Sequence, residues 1–172
     1  MIEVVIDQIR VSLMSQDRLV VLKDINNDRY LPIWIGSCEA DAITVELQDQ
    51  IAKRPLTHDL LKTAIQELGG RIEHILINDL RNDIFYARIL INVGEKTLEI
   101  DARPSDAIAL AVRAKAPVYV AETVMDRSSI VKEDDIEKEI STSEPEEEVN
   151  RLSAFADFLD SLDLDDLADE DE

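Results

Sequence analysis

Half of the chain's 38 acidic residues lie after Met125, together with 4 of its 18 basic ones, and a segment so charged cannot bury a core of its own. The formal net charge of −20 divides into −5 up to Met125 and −15 beyond it. A nearly balanced N-terminal stretch must therefore carry the fold. The expected organisation is one domain over residues 1–140 and an acidic, mostly disordered tail over 141–172. Ser141 to Glu148 is polar, holds a proline and lacks apolar periodicity, as a linker does. Leu152, Phe155, Phe158, Leu159 and Leu162 then recur at spacings of three and four, the pattern of a short amphipathic helix. Two roles follow for the tail: a solubilising appendage, or a docking segment for a protein partner or for its own domain.

A single cysteine, Cys38, excludes an internal disulfide framework and a multi-thiolate zinc site, and a reducing, cytoplasmic setting is expected. The longest apolar runs, such as Ala107 to Val112, fall far short of the roughly 20 residues that span a bilayer, so no membrane is expected as a partner. Glu3 and Asp7 near the start do not match a secretory leader. Four glycines leave no room for a Gly-rich phosphate loop.

The domain reads as α+β, with a largely antiparallel sheet and about three helices. Ile2 to Leu13, with Val5, Ile9, Val11 and Leu13 as its apolar face, Leu19 to Leu22 and Tyr30 to Ile35 are strand-forming runs separated by polar turns. Pro32 marks the third run as an edge strand, and Tyr30, Pro32 and Trp34 form an apolar strip expected to seat a second subunit in a homodimer. Ser37 is placed to cap a helix with Ala40, Ile43, Leu47 and Ile51 facing inward. Thr57 is placed to cap another, with Leu56 and Leu61 as a staple, a stripe of Leu61, Ala64, Ile65 and Leu68, and a Gly69-Gly70 stop. Ile72 to Ile77, Ile84 to Val93 and Thr97 to Asp101 are further strands. Pro104 opens a helix of small apolar residues that must be deeply buried. Val118 to Val120 is a last strand, followed by a weak helical pattern over Glu133 to Glu139.

Charged side chains gather at helix starts: Glu39 and Asp41; Arg54, His58 and Asp59; Asp101, Arg103 and Asp106. Helix N-termini favour anions, so each is a candidate phosphate seat, and each acid also serves simply to balance a helix dipole. Phosphodiester hydrolysis calls for carboxylates, a proton-transfer group and arginine, and all are present. His58 is the histidine placed among these charges, whereas His74 sits in a strand. Cys38 reads as a nucleophile or as a small buried apolar residue. No arginine-rich run announces nucleic-acid binding.

Four strings, Leu31-Pro32-Ile33-Trp34-Ile35-Gly36, Arg54-Pro55-Leu56-Thr57-His58-Asp59-Leu60, Phe85-Tyr86-Ala87 and the run from Ile100 to Ala111, closely resemble the bifunctional nuclease family, in order, between about Ile2 and Ile130. The resemblance implies DNase and RNase activity. It carries over Glu39, Arg54, His58, Asp59, Asp101, Arg103, Ser105 and Asp106. On that basis His58, Asp59, Asp106 and Glu39 are expected to be catalytic, and Arg54, Arg103 and Ser105 to bind substrate. Glu39, Asp101 and Asp106 are expected to hold a divalent ion, Mg²⁺ suiting oxygen ligands best. The rival reading is a noncatalytic interaction or regulatory module whose charges cap helices and pair with one another. Unlike relatives that end in a basic, helical segment similar to the UvrB/UvrC interaction motif, this chain ends in acids.

Overall fold

The computed structural model describes residues 1–11, 17–50 and 52–131, all within the unit Met1–Ile136. Leu13, Ile51, the helical pattern at Glu133 to Glu139, the boundary near residue 140 and the tail lie outside the described residues.

The described residues form an α+β domain. β1 (Ile2–Val11), β2 (Arg18–Asp24) and β3 (Tyr30–Ile35) make an antiparallel meander. α1 (Ser37–Leu47) and α2 (Thr57–Glu67) follow, then a second meander of β4 (Gly70–Arg81), β5 (Ile84–Val93) and β6 (Lys96–Ala102). α3 (Pro104–Ala114), β7 (Val118–Val120) and α4 (Glu122–Ser128) complete the unit. The sheet runs β3-β2-β1-β7-β4-β5-β6. Short β7 joins the meanders, antiparallel to β1 and parallel to β4.

α3 lies at the centre. Ala107, Ile108, Ala109, Leu110 and Ala111 are fully buried, and the helix packs on α1, α2, β4 and β5. Its alanines let the backbone approach the sheet closely, where Ile75, Ile77, Ala87, Ile89 and Ile91 present the opposing face. In β2, Leu19, Val20, Val21 and Leu22 are all buried, which explains a continuous apolar run in place of alternation.

Several local expectations are corrected. In β1 the buried residue is Val4, at 4% exposure, while Val5 is 51% exposed. A bulge between Ile6 and Gln8 shifts the register against β2, so one alternating face does not run the length of the strand. In α1, Ala40 and Ile43 point inward, but Leu47 ends the helix exposed. In α2 the apolar stripe is rotated away from the core: Leu61 and Leu68 are exposed, and the inner face is His58, Lys62 and Ile65. Lys62 Nζ donates to the Arg113 carbonyl at 2.7 Å, so contact with α3 sets the rotation rather than apolar periodicity. The helix caps are Gly36 and Leu56, one residue before the expected Ser37 and Thr57, and neither is a side-chain cap. α4, absent from the sequence reading, buries Val124 and Met125.

β3 does form one edge of the sheet, as Pro32 implied. Pro32 is buried, however, Trp34 is half-buried, and Tyr30 exchanges two backbone hydrogen bonds of 2.8 Å with Ile130, so the strip expected to seat a second subunit is partly covered by its own chain. Among the described residues no helix is long and apolar enough to cross a membrane.

Candidate active site

Three helices carry an acid at the same place. With Gly36, Leu56 and Arg103 as the N-caps of α1, α2 and α3, Glu39, Asp59 and Asp106 each stand third in the first turn, beside unpaired N–H groups at the positive end of the dipole. Two of the three acids share one arginine. Arg103 donates through Nε to Asp106 Oδ2 at 2.7 Å, and through Nη2 to Asp106 Oδ1 at 3.1 Å and to Glu39 Oε1 at 2.8 Å. This binds the start of α3 to the start of α1. A β-carbon at Gly36 would collide with the Glu39 carboxylate, which folds back over its own helix cap, so glycine there leaves Glu39 free to reach Arg103.

His58, buried in the first turn of α2, brings in the third helix: its Nε2 lies 3.4 Å from Asp106 Oδ1. The segments Arg54 to Asp59 and Asp101 to Asp106 therefore meet in space. Burial pushes the Asp106 carboxyl up, but hydrogen bonds and charge from Arg103, and then from His58, outweigh it and hold Asp106 below the ordinary carboxylate value. Asp106, and after it Glu39, raise the Arg103 guanidinium in turn, so the pair stays ionised.

Glu39, His58, Arg103 and Asp106 line an open cleft of about 720 Å³, with Cys38, Asp41 and Thr57 also on its walls. Its charge is three carboxylates against one guanidinium. Arg103, its side chain 65% exposed, is the group able to meet an incoming anion.

A model of the bifunctional nuclease domain matches residues 20–133. The chain belongs to the bifunctional nuclease domain family. An uncharacterized protein of Mycobacterium tuberculosis is 39% identical over 164 residues, covering 95% of this chain and 96% of that one. Bifunctional nuclease 1 of Oryza sativa subsp. indica is 30% identical over 105 residues, 59% of this chain and 32% of the rice protein. Bifunctional nuclease 2 of Arabidopsis thaliana is 27% identical over 93 residues, 52% of this chain and 28% of that protein. The plant nucleases are thus about three times longer than the part they share with this chain.

The bifunctional nuclease domain brings together four of the eight carried-over positions, Glu39, His58, Arg103 and Asp106. The others stand elsewhere. Asp59 faces away from the cleft, its Oδ1 taking Arg113 Nε at 2.6 Å and its Oδ2 the Leu56 N–H at 2.8 Å. Leucine has no side-chain acceptor, so this is the reciprocal half of a capping box alone. Burial pushes Asp59 up, and the Leu56 N–H and Arg113 more than reverse it. Arg54 lines a separate cavity of about 310 Å³ with Lys53 and Arg113. Ser105 is buried on the other side of Arg103. Asp101 is exposed on β6, in register with Arg88.

Mg²⁺ does not fit this donor set as arranged. Both Asp106 oxygens and one of Glu39 are engaged by Arg103, Asp101 does not line the cleft, and among the described residues no three acids or histidines converge as ligands. Cys38, one of whose readings was a small buried residue, is exposed in the cleft.

Arg113 escaped the sequence reading. It is 3% exposed and donates to Asp59, to the Ala109 carbonyl at 2.8 Å and to the Ala42 carbonyl at 3.0 Å, tying α3 to both helices that carry the cleft. Its signal was a single cation directly after the apolar run Ala107 to Val112, which must find a buried partner.

Proposed function

We propose that this chain hydrolyses phosphodiester bonds of DNA or RNA in the cleft around His58. One observation carries the reading: a histidine, an arginine and a carboxylate from two helices converge on the same open cavity, in a family whose plant relatives are named nucleases. Arg103 receives the phosphate, exchanging part of its bond to Asp106 for a phosphoryl oxygen and neutralising charge as it builds. With the His58 Nε2 proton directed at Asp106, Nδ1 keeps its lone pair and accepts a proton from the attacking oxygen. Attack by water forms one P–O bond as the bond to the leaving oxygen breaks, and the proton that His58 took from the water passes to the leaving oxygen. Asp106 and Glu39 act as positioning residues that hold His58 and Arg103. A cytoplasmic setting belongs to this reading.

The noncatalytic module stays in contention for one reason: the carboxylates are saturated by arginine, as helix-capping charges would be. Cleavage of single-stranded DNA and RNA oligonucleotides by the purified protein, in Mg²⁺ and in chelator, separates the two. Activity lost in His58→Ala and Asp106→Asn, with both variants folded, supports the nuclease. Equal cleavage by wild type and both variants assigns the activity to a contaminant and leaves the module.

A further inference from the structure

Arg103 stands between two cavities. On one side is the charged cleft of His58; on the other is a cavity of about 470 Å³ whose walls are Trp34, Ile84, Phe85, Pro104 and Ser105, with Asp17 and Asp83 also lining it. The two differ in kind. The first offers groups for proton transfer and an anion, while the second offers the half-buried indole of Trp34, the ring of Phe85 and Ile84, which is 59% exposed. The second offers a phosphate no cation but Arg103, which it shares with the first.

We infer that this aromatic cavity is a nucleobase subsite, in which a base stacks on Trp34 while the phosphate of the same nucleotide meets Arg103. The inference deepens the nuclease reading and rests on it for the identity of the ligand. A nucleotide is a flat aromatic ring tethered to an anion, and the cavity pairs an aromatic surface with a single exposed guanidinium at its border. The volume is that of an ordinary small-molecule pocket and accommodates a nucleoside. Every base has a π-face, so stacking holds a base without selecting one, as a site acting on both DNA and RNA requires. The position of Trp34 also has a cause in the fold. The β4–β5 hairpin turns through Asn82 and Asp83, both with positive φ, and sets Ile84 and Phe85 on the wall opposite β3.

Trp34 is the chain's one tryptophan, so its fluorescence reports this cavity directly. The full chain is titrated with adenosine monophosphate, ribose 5-phosphate and inorganic phosphate. Saturable quenching by adenosine monophosphate, with affinity about tenfold above that of ribose 5-phosphate, is expected, since stacking on an aromatic side chain contributes on the order of 1–3 kcal/mol. Affinity for a labelled oligonucleotide is measured in parallel on Trp34→Leu and Trp34→Phe. Leucine retains the apolar bulk and loses the π-face, so Trp34→Leu is expected to weaken binding about tenfold, and Trp34→Phe to restore most of it. No quenching at millimolar adenosine monophosphate, or equal affinities in wild type and Trp34→Leu, overturns the inference. Cleavage separates the two levels. If oligonucleotides are cut while Trp34→Leu behaves as wild type, the subsite falls and the nuclease stands. If adenosine monophosphate quenches while nothing is cut, the subsite stands and hydrolysis falls.

Discussion

Asp59 and Asp106 occupy equivalent places, each third in a helix, each bonded to an arginine of α3 or its cap, and their surroundings assign them opposite work. Arg113, the partner of Asp59, has a side chain 2% exposed, and three acceptors within the fold engage it. Arg103, the partner of Asp106, has a side chain 65% exposed and divides two open cavities. The first pair fixes how α2 and α3 lie; the second is held ready by that arrangement. A buried arginine that loses its acid has no alternative in water, whereas an exposed one does. The same two residue types therefore build a clamp in one place and a receptor in the other.

The strongest test exchanges each acid for its amide. His58→Ala is expected to lower cleavage by about 10²- to 10⁴-fold, the usual range for a lost general acid–base group, and Asp106→Asn, which loses the carboxylate that positions His58, by about 10²-fold, while its unfolding temperature moves little. Asp59→Asn is expected to do the reverse and retain cleavage wherever it is folded. Cleavage lost equally in Asp59→Asn and Asp106→Asn, at a temperature where both are folded, would abolish the distinction between clamp and receptor.

Next in size is the clamp itself. Arg113→Leu strands Asp59 and frees two backbone carbonyls, and a broken buried pair costs about 3–5 kcal/mol; with Asp59 one-third exposed, the lower end applies. For a domain of this size that lowers the unfolding temperature by about 10 °C. Arg103→Met, at an exposed pair, is expected to cost under about 1 kcal/mol. Comparable losses in the two variants, read by thermal or urea unfolding, would show that the apparent openness of Arg103 hides an equal structural role.

How far this division could be read from sequence depends on the residue. The acids at three helix starts followed from residue types alone. The central helix followed from its small apolar run. What could not be read was which acid receives which arginine, because a helix start looks the same whether it faces solvent or another helix. Arg113 was legible only in retrospect, as one cation at the end of an apolar run. The rotation of α2 and the phase change in β1 were hidden for a related reason: one bulged residue inverts a strand, and one contact between Lys62 and a carbonyl turns a helix, and neither leaves a periodic trace.

Arg103→Met has a second, smaller consequence. It releases Asp106 and Glu39, and two carboxylates within reach of one guanidinium make a better seat for a divalent ion once that cation is gone. Calorimetric titration with Mg²⁺ is expected to show tighter binding in the variant than in wild type. Equal binding would mean that Arg103 yields its carboxylates to the metal unaided, and would restore the divalent ion expected from the sequence.

The smallest effect is the pH dependence, and its sign follows from the direction of the two shifts. Asp59 and Asp106 both sit below their ordinary value in the fold, so each contributes stability that is fully present above about pH 4–5, where the unfolded chain has also lost its proton, and that disappears as pH falls through the lowered value. Asp59→Asn lacks that contribution at every pH. The gap in unfolding temperature between wild type and Asp59→Asn should then be widest near neutrality and close below about pH 4, as wild-type Asp59 takes up a proton and becomes as neutral as the amide. For Asp106→Asn the gap should be narrower from the start, because water screens a pair whose arginine is exposed. Parallel curves for wild type and Asp59→Asn down to low pH would mean that Asp59 owes its place to hydrogen-bond geometry, which asparagine keeps, and not to charge. The clamp would then be distinguished from the receptor by shape alone.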